Sequence, residues 1–410
     1  MKEELMRKYA RLAVITGVNI QKGQPLVITS SVTDHVFAEY CVEEAYKAGA
    51  SEVTVRWSDE NVSHMDFTYQ SKETLCDIPD WVEERIKHEH GTKSAYLHID
   101  SSTPGLMADI DGEKMGAYQQ AYMAKMSPYM AYSMNNEAQW CIIALPSVKW
   151  AEKVFPDKKG QEAYDALNDA ILYSVRVRED NDPIEEWQQH SDRLAAHCEI
   201  LNENQFKELH FVSSNGTDLH VGLVKNHIWV GGGGVTLDGI YFTPNMPTEE
   251  CFCMPDRNNV NGIVYASKPL SYQGKIVEDF WFRFENGIVV DYGAAKEKEA
   301  LTSLLETDEG SRHLGEVALI SYDSPISNLN ILFLNTLFDE NASCHLALGR
   351  AYPENVAGGT DMSEEELLAV GSNISNNHVD FMFGTADMSV TGLKENGEEV
   401  TVFKDGNFAF

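Results

Sequence analysis

The sequence predicts α/β plus α+β architecture: an N-terminal open α/β domain over residues 1–185 and a C-terminal β-rich α+β domain over residues 186–410. Three observations carry this. The chain has 410 residues, which at roughly 150 per domain makes about two to three domains. In the first half, short apolar runs alternate with segments of helical periodicity, as strands joined by crossover helices do. In the second half, short strands succeed one another with turn residues between them, starting at an Asn-Gly flanked by apolar runs.

Taken in order, residues 2–17 mix charge with apolar residues at helical spacing and predict an amphipathic helix. Gly23-Gln24-Pro25 punctuates, and Leu26 to Ser30 reads as a buried strand. Thr33-Asp34 can cap the next helix, which sets Val36, Ala38, Cys41, Val42 and Ala45 on one face and ends at Gly49. Val53 to Trp57 is the following strand, so this stretch is a βαβ unit with a parallel pair. Further strands read at Ser94 to Ile99 and Gln139 to Leu145, with a helix over 112–130 between them, and two or three helices run from Val148 to about Asn202. Leu209 to Val212 and Leu219 to Leu223 flank Ser213-Ser214-Asn215-Gly216-Thr217 as a hairpin. Strand-like segments continue near 227–230, 240–242, 261–267, 275–290 and 316–320, with helices at 294–306 and 363–370.

Composition narrows the function. Acidic residues number 64 against 32 basic, a net charge of -32. Nucleic-acid binding needs Lys and Arg to displace phosphate counterions, and anionic membrane needs the same sign, so both partners are excluded. Metal cations and positively charged substrates are favoured. No run approaches the ~20 apolar residues of a spanning helix, and the N-terminus has no signal-peptide core. The seven cysteines are scattered without a CxxC, as expected of free thiols in a reducing cytoplasm.

Several motifs carry no chemistry. Gly231 to Gly234 is followed by no Lys-Ser/Thr, so a turn or close backbone approach suits it better than a phosphate loop. The βαβ start lacks the dinucleotide glycines, and no GxSxG, HExxH or HxxEH occurs. His88, His90, His190 and His220 read as surface or ordinary core residues.

What remains is a series of acids and histidines in the second half. Glu249-Glu250 are adjacent, so their side chains diverge, and one can hold a metal while the other faces substrate; two solvated loop acids fit the same pattern. Glu316 opens an apolar run, where a buried carboxylate needs a partner or a metal, unless it is a strand-edge surface charge. Asp339 to Tyr352 contains Glu340, His345 and Tyr352. His378 and Asp380 are two apart in a strand-like run, hence on one face, which suits Zn, Co or Mn. Three carboxylates and two histidines in one domain have the chemistry of a two-metal hydrolytic site.

These segments resemble the dinuclear metallo-aminopeptidases of the aminopeptidase T, aminopeptidase S and aminopeptidase II family, nearest to the aminopeptidase S branch of Gram-positive bacteria. The likeness runs through most of the chain: residues 17–24, Lys47 to Val53, Asn136 to Trp140, Trp150 to Pro156, Asn245 to Glu250, His345 to Tyr352 and His378 to Asp380. It implies metal ligands at Glu250, Glu316, His345, His378 and Asp380, with Glu340 as a sixth and Glu316 bridging two divalent ions per chain. It implies Tyr352 as the active-site tyrosine and a homodimer. Cys251-Phe252-Cys253 departs from the family pattern; the two thiols share a strand face and are read as packing. The expected function is removal of N-terminal residues from peptides with a free N-terminus. Tyr352 would donate to the oxyanion and Glu249, by inference from the Glu-Glu pair, would move the proton. A non-catalytic two-domain small-molecule-binding protein, or a single-metal hydrolase of a non-peptide amide, are the rival readings.

Overall fold

The computed structural model describes residues 2–273 and 275–410. The chain forms two compact units, one of residues up to Gln189 with Gly233–Pro247, the other of His190–Gly232 with Thr248–Phe410.

In the first unit, Pro25–Ser31, Glu52–Ser58, Ala95–Asp100 and Trp140–Ala144 form a four-stranded, all-parallel sheet. The Pro25–Ser31 strand lies inside it, which is why Leu26, Val27 and Ile28 form an unbroken apolar run rather than an alternating one. The first helix, Glu3–Leu12, buries Tyr9, Ala10 and Leu12 and runs into a π-turn at Ala13–Gly17. The helix His35–Ala48 turns Phe37, Ala38, Cys41 and Ala45 inward and ends at left-handed Gly49. Val36, expected on the inner face, is exposed because the larger Phe37 takes that place. The expected cap also moves: Ser31 caps the preceding 3-10 turn, and the Asp34 carboxylate instead accepts the Ser101 hydroxyl at 2.5 Å.

Three helices between the second and third strands, Glu60–Tyr69, Lys72–Cys76 and Asp80–Gly91, were not expected from the sequence. The first buries no residue, so it has no apolar stripe to read; its start is marked only by the Asp59 side chain accepting from Asn61 and Val62. Residues 233–247 return to this unit. Ile142 donates to the Pro244 carbonyl at 2.7 Å and Thr243 to Gly17 at 2.9 Å. The strand expected near 240–242 in the second half is therefore a short Tyr241–Phe242 pair within the first unit.

The second unit holds two larger sheets. The eight-stranded sheet runs, in spatial order, Ile288–Gly293, Trp281–Glu285, Pro255–Tyr265, Asp218–Leu223, Glu208–Val212, Ser389–Leu393, Glu399–Lys404 and Asn407–Phe408. The five-stranded sheet runs His378–Met382, His345–Gly349, Leu314–Leu319, Cys251–Cys253 and Val230–Gly231. One apolar core joins them, from Phe211, Leu219 and Phe282 on the larger sheet to Val317, Leu346, Leu348 and Phe381 on the smaller. Each fully buried Leu or Phe there contributes roughly 1.5–3 kcal/mol. Cys251 and Cys253 point into that core as free, buried thiols, so packing is their role. The helix Lys298–Leu305 covers it with Ala300, Leu301, Leu304 and Leu305.

Candidate metal centre

The centre is built on the face of the five-stranded sheet turned away from that core. Leu346, Leu348 and Phe381 occupy the core face, so period two sends His345, Ala347 and Gly349 to the other side, together with His378 and Asp380. Register then sets the neighbours: Glu316 lies opposite Ala347, which lies opposite Asp380, while His345 pairs Ala318 and His378 pairs Gly349. The residues between the donors are Ala and Gly, which leave room above the sheet.

A bulge aims Glu316. Leu314 pairs Leu348 on the core face, and regular pairing would carry residue 316 there too. The register shifts between Leu314 and Glu316, and the extra residue, Gly315, turns the glutamate to the donor face. A Cβ on Gly315 would meet the Arg350 and Gly349 carbonyl oxygens at 2.3 and 2.4 Å, so only glycine fits. Gly231 acts similarly at the other end: a Cβ there would lie 2.3 Å from the Glu250 carbonyl. Close backbone approach thus accounts for Gly231, whereas Gly232, Gly233 and Gly234 make room for the Leu194, Tyr241 and Phe242 side chains.

The donors converge. His345 Nε2 is 3.0 Å from Glu316 Oε1, 3.4 Å from Glu250 Oε2 and 3.9 Å from Asp380 Oδ1. His378 Nε2 is 3.4 Å from Asp380 Oδ1 and 3.7 Å from Glu316 Oε2. Two triads result, Glu250–Glu316–His345 and Glu316–His378–Asp380, each with donor atoms within 4.8 Å of one another. They share Glu316, whose two oxygens face different histidines. His378 Nδ1 lies 2.7 Å from the Arg350 carbonyl and donates to it, which leaves the Nε2 lone pair facing the acids. Asp380 Oδ1 is buried without a hydrogen-bond partner, the state of a ligand oxygen rather than of a structural carboxylate. These residues fit divalent ions.

Glu340 opens the 3-10 turn Glu340–Ala342; burial, then Glu250 and Asp380, hold its carboxyl well above the ordinary value, which puts it among the same charges. The Tyr352 ring lies tilted 4.9 Å from that of His378 and edge-on 6.0 Å from that of Phe252. The residue is 42% exposed, yet burial around the phenol and the Glu316, Asp380, Glu340 and Glu250 charges keep it protonated far above neutral pH. Glu249 is buried and points elsewhere than Glu250, with Oε2 3.6 Å from His190 Nε2. Its backbone N–H donates to Asn341 Oδ1 at 2.8 Å. Gly315 and Asn341 are residues the sequence reading did not single out, and the contact of His190 with Glu249 is one it did not foresee. A glycine before a glutamate inside an apolar strand was the available sign of the first. Nothing in the sequence signals the other two, and His190, read there as ordinary, is a core residue whose Nε2–H donates to the Thr248 carbonyl at 2.7 Å.

Without metal, protons hold this cluster together. Burial disfavours charge on His345, but the Glu316 hydrogen bond with Asp380 and Glu250 raises it to about 10. His378 also rises to about 10, burial being outweighed by Asp380 and Glu316. Glu250 is pushed up to about 7 by burial, Glu316 and Asp380. A group whose folded pKa is raised stabilises the fold below its unfolded value, and that contribution fades as pH climbs through the folded one. The histidine contribution is therefore complete below ~6.5 and lost toward about 10, and that of Glu250 is lost on the way to about 7. Divalent ions replace these protons and bind more tightly as pH rises. Melting temperatures taken with chelator and with Zn²⁺ should diverge as pH rises from about 6 to about 9. Parallel curves would detach these groups from metal.

Histidine–carboxylate triads on a cleared sheet face define a metalloprotein. The family model described as thermophilic metalloprotease (M29) matches residues 2–408, and the chain belongs to that family. It is 43% identical over 405 residues to aminopeptidase AmpS of Bacillus subtilis (strain 168), covering 99% of this chain and 98% of that protein. It is 40% identical over 408 residues to aminopeptidase 2 of Geobacillus stearothermophilus, covering 100% and 98%. The solved structure of wild-type AmpT from Thermus thermophilus superposes with a TM-score of 0.93 at 36% identity over 100% of both chains. The expected two-part α/β fold and family are thereby established.

Proposed function

We propose that the two triads form one dinuclear aminopeptidase centre, with Glu250 and His345 serving one ion, His378 and Asp380 the other, and Glu316 bridging. Glu340 is the sixth ligand, on the Glu250 side. The chain is a metal-dependent aminopeptidase, a hydrolase acting on peptides. The observation that carries the two-ion reading is Glu316, with one oxygen toward each histidine. An oxygen and imidazole donor set suits Zn, Co or Mn. When bound, such ions make water nucleophilic near neutral pH and polarise the scissile carbonyl.

The chain's own groups do the rest. Tyr352, protonated at neutral pH, donates its O–H to the oxyanion as charge develops there. Glu249 takes the proton of the attacking water and returns it to the leaving amine. The acidic surroundings bind the substrate's free ammonium. All these residues lie in the second unit, which we assign as the catalytic domain; the expected bounds of 1–185 and 186–410 shift by the return of Gly233–Pro247 to the first unit. No helix among the described residues is long and apolar enough to cross a membrane. All seven cysteines are free, which supports a reducing cytoplasmic setting. A homodimer rests on the family resemblance.

The test is charge at the N-terminus. Acetylation removes the ammonium and adds bulk, so free-amine peptides should be hydrolysed far faster than their acetylated counterparts. Equal rates, or internal cleavage of long peptides, would make the enzyme an endopeptidase.

A further inference from the structure

Outside the centre, the described residues place one more set of metal donors together: His210, Asp218 and His220, with ligand atoms within 4.8 Å of one another. They stand on the hairpin of Glu208–Val212 and Asp218–Leu223, where His210 lies directly opposite His220. The alternate residues Leu209, Phe211, Leu219 and Val221 are fully buried, so the histidines, Glu208 and Asp218 share the outward face. The two imidazoles stack with centroids 3.9 Å apart and planes 9° from parallel. Two carboxylates cross the pair diagonally. Asp218 Oδ1 is 2.7 Å from His210 Nε2, and Glu208 Oε1 is 2.8 Å from His220 Nδ1.

Glu208 accepts from His220 Nδ1, which orients that ring and leaves Nε2 with the lone pair, while His210 Nε2 and Asp218 Oδ1, in contact at 2.7 Å, are the two donors an ion would enter between. Directly opposed strand positions hold Cβ atoms about 4.5–5.5 Å apart, within reach of one ion bound at about 2.0–2.1 Å from each nitrogen once the stacked rings splay. We propose that this hairpin face is a second metal site, separate from the centre. It takes one divalent transition ion through His210 and His220, with Asp218 as carboxylate ligand and Glu208 orienting His220. Imidazole donors select Cu²⁺ over Ni²⁺ and Zn²⁺ in affinity, whereas Mg²⁺ and Ca²⁺ prefer all-oxygen sites. An ion here bridges the two strands and binds only the folded hairpin, so it stabilises the second unit.

The site is read by difference. The intact protein is equilibrated with Zn²⁺, and ions per chain are counted for wild type, His220→Asn and His210→Asn. Each variant should bind one ion fewer than wild type while hydrolysing an aminoacyl reporter at the wild-type rate. That difference of one holds whatever number of ions the centre takes, so it stands or falls separately from the dinuclear reading. Equal stoichiometry in wild type and variants overturns the proposal. A second measurement needs no substitution: one equivalent of Cu²⁺ added to Zn²⁺-filled wild type should show two-nitrogen coupling in its electron paramagnetic resonance spectrum. A spectrum without nitrogen coupling also overturns it.

Discussion

Glu316→Gln should strip both ions from the centre and take peptide hydrolysis below detection. The carboxylate offers a different oxygen to each histidine: Oε1 is 3.0 Å from His345 Nε2 and Oε2 is 3.7 Å from His378 Nε2. An amide keeps the volume but carries no charge, and its nitrogen repels a cation where an oxygen had bound. Both triads lose a member at once, whereas Asp380→Asn removes a donor from one triad only. Outer-shell partners of metal ligands are already worth roughly 10–100-fold in affinity or activity, and a shared ligand should exceed that for each ion. The fold should survive, because Gln fits the same bulge and the packing of Val317 and Leu319 on the core face is untouched. Metal analysis, circular dichroism and turnover on one preparation decide the matter. Two retained ions with normal turnover would show that Glu316 does not bridge.

Much of this site could be read from the sequence, but not all of it for the same reason. His378 and Asp380 were legible because period two is a local rule, and the structure places both on one face of His378–Met382. The βαβ start was legible because a buried parallel strand is a continuous apolar run. Glu316 was harder. Its side follows from a bulge that depends on the carbonyls of Gly349 and Arg350, and pairing with a strand about thirty residues later is not encoded locally. The helices at 60–91 escaped because the first turns no residue into a core, so periodicity had nothing to report. The return of 233–247 to the first unit escaped because contacts such as Ile142 to Pro244 are main-chain hydrogen bonds, which carry no side-chain signature.

The adjacent glutamates should separate cleanly under conservative substitution. Glu250 turns its Oε2 to within 3.4 Å of His345, among the metal donors. Glu249 turns the other way, is buried, and has Oε2 3.6 Å from His190 Nε2. His190 Nε2–H donates to the Thr248 carbonyl at 2.7 Å and lies 3.6 Å from the Glu249 carboxylate. Asn341, fully buried, pins the Glu249 backbone N–H at 2.8 Å and is itself tied to the Leu337 carbonyl at 3.2 Å. The proposed proton-transfer role has the Glu249 carboxylate exchange protons with water and leaving amine while contributing nothing to metal affinity. Glu250→Gln should therefore lower the metal content. Glu249→Gln should keep the full complement of ions and the wild-type melting temperature, since the amide fills the same space. Its turnover should fall by ~10²–10⁴, the usual worth of a positioned general base. The Michaelis constant should change little, because the proton moves only as the transition state forms. Metal loss matching that of Glu250→Gln would make Glu249 a ligand, and near-normal turnover with full metal would assign the proton transfer to another group.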